Sequence, residues 1–158
     1  MVINLTKSQK LLYELVRKSN GVNDKTKLAK LQYLADFIHY AFHDAPISEI
    51  ANIYEKRKQG PLALEFNKDL KILKDQHLLE EQPQFNFAVK AEINTELSSQ
   101  ELYTVDYVVK RYGGLSWEEL LDICHAQFPH LSAKEDGIVP YFTAYNLVED
   151  YPDYKAGK

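Results

Sequence analysis

Cysteine occurs only once in this 158-residue chain, at Cys124, which excludes an internal disulfide framework and a cysteine-based zinc cluster. No stretch is apolar for long enough to span a membrane. The opening segment carries Lys7, Lys10, Glu14, Arg17 and Lys18 among its apolar residues, so it lacks the unbroken hydrophobic region of a secretion signal. These absences predict a cytoplasmic protein. Excess positive charge is missing too: a formal net charge of -4 argues against a chain whose main work is neutralising nucleic-acid phosphates. There is no glycine loop to cradle phosphate, no nucleophile elbow and no serine-triad signature. The residues give no reason to expect an enzyme or a cofactor.

What is present is apolar material, at 45% of residues, enough for one continuous core in a chain of this size. Tyrosine is frequent, at 11 copies, and a ring with a polar tip suits both half-buried cores and protein interfaces. The pattern predicts a mainly α fold: a single helical domain of about six helices with a small antiparallel β-hairpin. Residues 1–148 form that domain, and the polar tail 149–158 is expected to fray.

Thr6 followed by Gln9 is a capping box that opens a helix with Leu11, Leu12, Leu15 and Val16 on one face, and Gly21 is its stop. Asn23 or Asp24 caps the next helix, where Leu28, Leu31, Ala35, Ile38 and Phe42 recur in steps of three and four. Tyr33, Phe37 and Tyr40 make a second apolar stripe, so this helix should lie at the centre. Residues from Asp44 to Gly60 suit a turn and a short extended segment. Gly60-Pro61 reads as a helix start, because proline at the first helical position sacrifices no helical hydrogen bond, with Leu62, Phe66, Leu70 and Leu73 as the buried face.

Phe85, Phe87 and Val89 alternate with polar or small residues as one strand of a hairpin. Ser98 with Glu101 and Ser116 with Glu119 are two more capping boxes, separated by a break at Gly113-Gly114. The first of these helices should bury Leu102, Val105, Val109 and Tyr112. The second should bury Leu120, Leu121, Cys124 and Phe128 before Pro129 ends it. A last short helix is expected from about Val139 to Val148.

His39 and His43 are four apart, a spacing that can bring two imidazoles to one zinc ion, with Asp36 and Asp44 as extra ligands. Tyr40 stands where the metalloprotease motif needs glutamate, and no third ligand is fixed, so two partly exposed helix histidines are the preferred reading and no metal is expected. Cys124 and His125 are helix neighbours that point apart and cannot form a thiolate–base pair, which favours a buried structural cysteine. Lys56, Arg57 and Lys58, then Lys68, Lys71 and Lys74 beside a strand, outline a winged-helix DNA binder. Glu65, Asp69 and Asp75 are interspersed among them, as on a solvated face.

The stretch from Lys27 to Tyr40, KLAKLQYLADFIHY, resembles the first signature of the Panacea-domain family, the SocA-like, phage-associated antitoxin domain of toxin–antitoxin pairs. Pro46-Ile47, Gly60-Pro61 and Phe66 match that family's arrangement in order and approximate spacing. So do Val105 to Tyr112, Gly113-Gly114-Leu115-Ser116, Leu120-Leu121 and His125, with a weaker match at Ile138 to Phe142. The ordered set is more specific than any one motif.

The resemblance implies an antitoxin that neutralises a cognate protein toxin, usually encoded by an adjacent gene, through direct protein–protein binding without catalytic residue or cofactor. Some members resemble adaptors that deliver a toxin to a protease. Gly60 and Pro61 are signature residues that also serve backbone geometry. Trp117 sits in the first turn of a helix and His125 and Phe128 lie within the following turns, where aromatic anchors suit either a core or a partner surface. The alternatives are a winged-helix-like, autoregulatory DNA binder and a hydrolase using His39, His43 or His125 with a carboxylate.

Overall fold

The computed structural model describes residues 4–83, 86–149 and 151. Helix α1 (Lys7–Lys18) begins at the expected capping box: the Gln9 amide donates to Thr6 Oγ1 at 3.2 Å and Gln9 Oε1 accepts from the Thr6 amide at 3.0 Å. It ends where the Gly21 amide reaches back to the Val16 carbonyl at 2.9 Å, with Gly21 at φ 103, a conformation that favours glycine. Asp24 caps α2 (Lys25–His43) by accepting the Lys27 amide at 3.0 Å.

Helix α2 is central, as its two apolar stripes require. Leu28, Leu31, Ala35 and Ile38 are fully or almost fully buried, and so are Tyr33 and Phe37 on the neighbouring face. The tyrosines among them build the core because their hydroxyls find partners: Tyr33 donates to Gln127 Oε1 at 2.8 Å, and Tyr13 of α1 to the Ala91 carbonyl at 2.8 Å. Phe42, at the end of the stripe, is 40% exposed and stacks on Tyr151 with centroids 4.6 Å apart.

Gly60-Pro61 does not start a helix. Tyr54–Arg57 (β1) and Gly60–Ala63 (β2) form an antiparallel hairpin, with Lys56 opposite Pro61 and Arg57 opposite Gly60. Its two-residue turn, Lys58-Gln59, holds Gly60 at φ 92, again outside the usual range of other residues. Pro61 is tolerated because β2 is the outer strand of its sheet, and the Lys56 amide turns away from it to the Gly137 carbonyl at 2.8 Å. The helix of this region, α3 (Phe66–Asp75), begins only at Phe66, and it buries Phe66, Leu70 and Leu73; Leu62 sits on the strand.

The second hairpin is as expected, with β3 (Leu79–Gln82) against β4 (Asn86–Val89) and Phe87 buried; Phe85 lies outside the described residues. Ser98 and Ser116 both complete their capping boxes, opening α4 (Ser99–Tyr112) and α5 (Trp117–Ala126). In α4, Val105 and Tyr112 are buried with Thr104 and Val108, while Leu102 and Val109 are only partly buried.

Leu120 and Cys124 of α5 are buried, and Leu121 is half-buried. Phe128 is not: the chain turns extended at Gln127 (ψ 149), and Phe128 opens a separate helix α6 (Phe128–Ser132) with Pro129 near its start. Strand β5 (Ile138–Val139) then pairs with β1, and the last short helix is a 3-10 segment, Tyr141–Asn146.

Two residues of the expected tail, Glu149 and Tyr151, pack against the helices. Glu149 accepts from the Tyr107 hydroxyl at 2.7 Å and from the Tyr112 hydroxyl, and Tyr151 is 7% exposed. Residues 150 and 152–158 lie outside the described part. One continuous apolar cluster joins Leu5 of the N-terminal segment to Tyr151. No helix among the described residues is long and apolar enough to cross a membrane.

Candidate functional site

Five residues are candidates for partner contact, and the fold divides them. Gly60 and Pro61 are buried in β2. His125, near the end of α5, donates through Nε2 to the Lys58 carbonyl at 2.8 Å, which fastens α5 to the turn that precedes Gly60. Its ring also lies against His130, with centroids 4.6 Å apart. Burial, with Lys56 and His125 nearby, pushes His130 down to about 4, so it is neutral at neutral pH. These three candidates therefore hold the hairpin against the helices. Trp117, half-buried, is at the other end of α5, roughly 12 Å of helix away.

Phe128 alone of the five faces outward, and it does so in apolar company. It is 44% exposed, and Leu131, Ile138 and Phe142 are 63%, 58% and 63% exposed. Phe128, Ile138 and Phe142 line one open groove of about 380 Å³ with Pro140 between them. The groove is built from three elements: α6 supplies Phe128, β5 supplies Ile138 and the 3-10 segment supplies Phe142. Side chains of this size left exposed together on one face mark an interaction surface more often than a solvated one. The residue pattern concealed this, because Phe128 has helical spacing from Cys124 and looks like core until the break at Gln127 is known.

The His39/His43 pair is committed to structure. His39 is only 4% exposed, not partly exposed, and its Nδ1 donates to the Ala45 carbonyl at 2.7 Å. His43 Nε2 lies 2.9 Å from the Tyr151 hydroxyl. Asp36 is fully buried and accepts from the Ser48 amide at 2.8 Å and the Tyr54 hydroxyl at 2.7 Å, while Asp44 accepts from the Tyr145 hydroxyl at 2.7 Å. Among the described residues no group of three or more His, Cys, Asp or Glu side chains is placed to hold a metal ion. Asp36 instead ties α2 to the loop and strand that follow. Its burial pushes the carboxyl up to about 6, against the opposing effect of those hydrogen bonds.

Cys124 and His125 do point apart. The thiol is buried, which pushes it up to about 12 and leaves it protonated. The basic residues that outlined a DNA-binding helix are met by carboxylates at close range: Lys68 by Glu65 (3.3 Å), Lys71 by Asp75 (2.6 Å) and Lys74 by Glu81 (2.9 Å). Lys56 turns inward to the Ala133 carbonyl at 3.1 Å. Helix α3 thus presents mixed charge rather than a continuous basic face.

Compared with known protein families, the chain matches the one described as antitoxin SocA-like, Panacea domain, over residues 28–129. The matched region holds all five candidates and ends short of Ile138 and Phe142. No curated protein matches the chain, and no solved structure matches it.

Proposed function

This chain belongs to the SocA-like Panacea-domain antitoxin family, and on that premise we propose that it is an antitoxin that neutralises a protein toxin by direct contact rather than by catalysis. The family match over residues 28–129 carries the reading. The groove of Phe128, Ile138 and Phe142 is the surface best suited to the toxin. Burying one such side chain fully contributes about 1.5–3 kcal/mol. Three half-exposed ones at the centre of an interface therefore form an anchor of the kind that dominates binding energy, while exposed polar neighbours such as Ser132 and Lys134 form a rim.

The test is co-expression with the product of the adjacent reading frame. The expected outcome is restored growth, an unchanged toxin level on immunoblots, and a stoichiometric complex on size exclusion. A toxic neighbour from which the chain gives no protection would refute neutralisation for that pair. Restored growth with a falling toxin level would indicate delivery to a protease instead.

A further inference from the structure

Helix α2 carries a lysine that toxin contact leaves without a task. Lys30 is 2% exposed, yet among the described residues its ammonium has no hydrogen bond and no ion pair. Its charged neighbours are already committed. Asp24 uses its carboxylate to cap α2, and the Cys124 thiol is protonated. An ammonium drawn this far out of bulk water, with only the charge of Asp24 acting on it and no direct ion pair, is disfavoured. Burial accordingly pushes its pKa down.

The side chain lines a pocket of about 230 Å³ between the start of α2, the β1–β2 hairpin and α3. Two more cations, Lys25 and Arg57, line the same pocket, and Gln59 and Asn67 add side-chain amides. No aspartate or glutamate is among the lining residues, although the whole chain has a net charge of -4. Two carboxylates stand near these cations without lining the pocket: Asp24 at the cap of α2, and Glu55, 2.9 Å from Arg57 Nε on the strand outside. Leu62 and Phe66 supply an apolar wall.

We propose that this pocket binds a small phosphate monoester, with Lys30 facing the phosphate, Arg57 and Lys25 at the mouth, and the organic part of the ligand against Leu62 and Phe66. Three cations with no acidic neighbour in the wall match a dianion better than a single carboxylate. A guanidinium and amide donors suit the several acceptor oxygens of a phosphate. The pocket lies apart from the Phe128 groove, with no lining residue in common. Ligand binding here and toxin neutralisation can therefore succeed or fail separately.

The test uses the full chain alone, titrated with inorganic phosphate, phenyl phosphate and acetate in chloride buffer at constant ionic strength. Calorimetry and thermal unfolding read affinity, and amide NMR shifts read location. Both phosphate probes should raise Tm saturably and move the amides of Thr26 and Gly60, with phenyl phosphate the tighter of the two. Lys30→Met, nearly the same length without the charge, should remain folded and lose at least about tenfold in affinity. Arg57→Gln, a more exposed change, should show the same direction and serves if Lys30→Met does not fold. Absence of saturable binding by either phosphate probe overturns the proposal. So does equal binding by a folded Lys30→Met, or acetate binding as tightly as phosphate.

Discussion

The Lys30 side chain passes directly beneath Gly60, its Cε 2.9 Å from the point where a β-carbon on residue 60 would stand. Gly60 is thus required twice, for its φ of 92 and for the room it leaves a buried lysine. Gly60→Ala should lower unfolding free energy by about 1–2 kcal/mol, chiefly through the disfavoured backbone, because the Lys30 atoms it meets are the end of a flexible side chain beside a pocket. Urea unfolding measures it; a loss under about 0.5 kcal/mol, the scatter of ordinary surface changes, would show that neither constraint operates.

Toxin contact through the apolar groove predicts a separation of effects. Ile138→Asp with Phe142→Asp changes residues that are 58% and 63% exposed, so the fold should lose little stability. Affinity for the toxin should fall about a hundredfold and growth rescue should fail. Undiminished binding by the double variant would move the contact to another face.

His125 should behave as a fastening rather than a contact. Its bond to the Lys58 carbonyl predicts that His125→Ala costs about 1 kcal/mol of stability. Toxin affinity measured on the folded variant should be unchanged. A large loss of affinity with intact stability would return His125 to the partner surface.

Asp36 gives the fold a pH dependence. Its folded pKa of about 6 stands above its ordinary 3.8, so between those values the folded chain holds a proton that the unfolded chain releases. Stability from this group is fully present below about pH 4 and lost as pH rises through 6. A shift of about 2 units corresponds to about 3 kcal/mol. Asp36→Asn should flatten the curve over that window relative to the parent. Superimposable slopes in urea melts from pH 4 to 7 would contradict it.

Truncation after residue 148 should destabilise the protein by on the order of 3 kcal/mol. It removes the Glu149 carboxylate from Tyr107 and Tyr112, and the Tyr151 ring from Phe42 and Thr104. A truncated chain with the parent Tm would show these anchors to be dispensable.

The parts of this fold that were legible in the residues are those fixed by chemistry within one turn of helix. Thr6/Gln9, Ser98/Glu101 and Ser116/Glu119 each satisfy their own backbone amides, so their capping boxes form as the sequence implies. The double apolar stripe of α2 determined its central place, because two faces demand two coverings. The family signatures from Lys27 to His125 were legible on the same terms, as ordered local motifs.

What the tertiary structure decided depends on residues far apart in the chain. Gly60-Pro61 suits a helix start or a hairpin edge equally well. The choice fell to pairing with Tyr54–Arg57, itself held on its other side by Ile138–Val139. Phe128 was left in solvent by a backbone turn at Gln127, and became a candidate anchor only when Ile138 and Phe142 arrived beside it. Lys30 lies on a helix face whose burial depends on a hairpin about thirty positions later, and its lack of a partner depends on what Asp24 and Cys124 already do. Local patterns set the helices because their hydrogen bonds close within four residues; the candidate sites needed long-range packing, since no short segment determines which side chains are left without a neighbour.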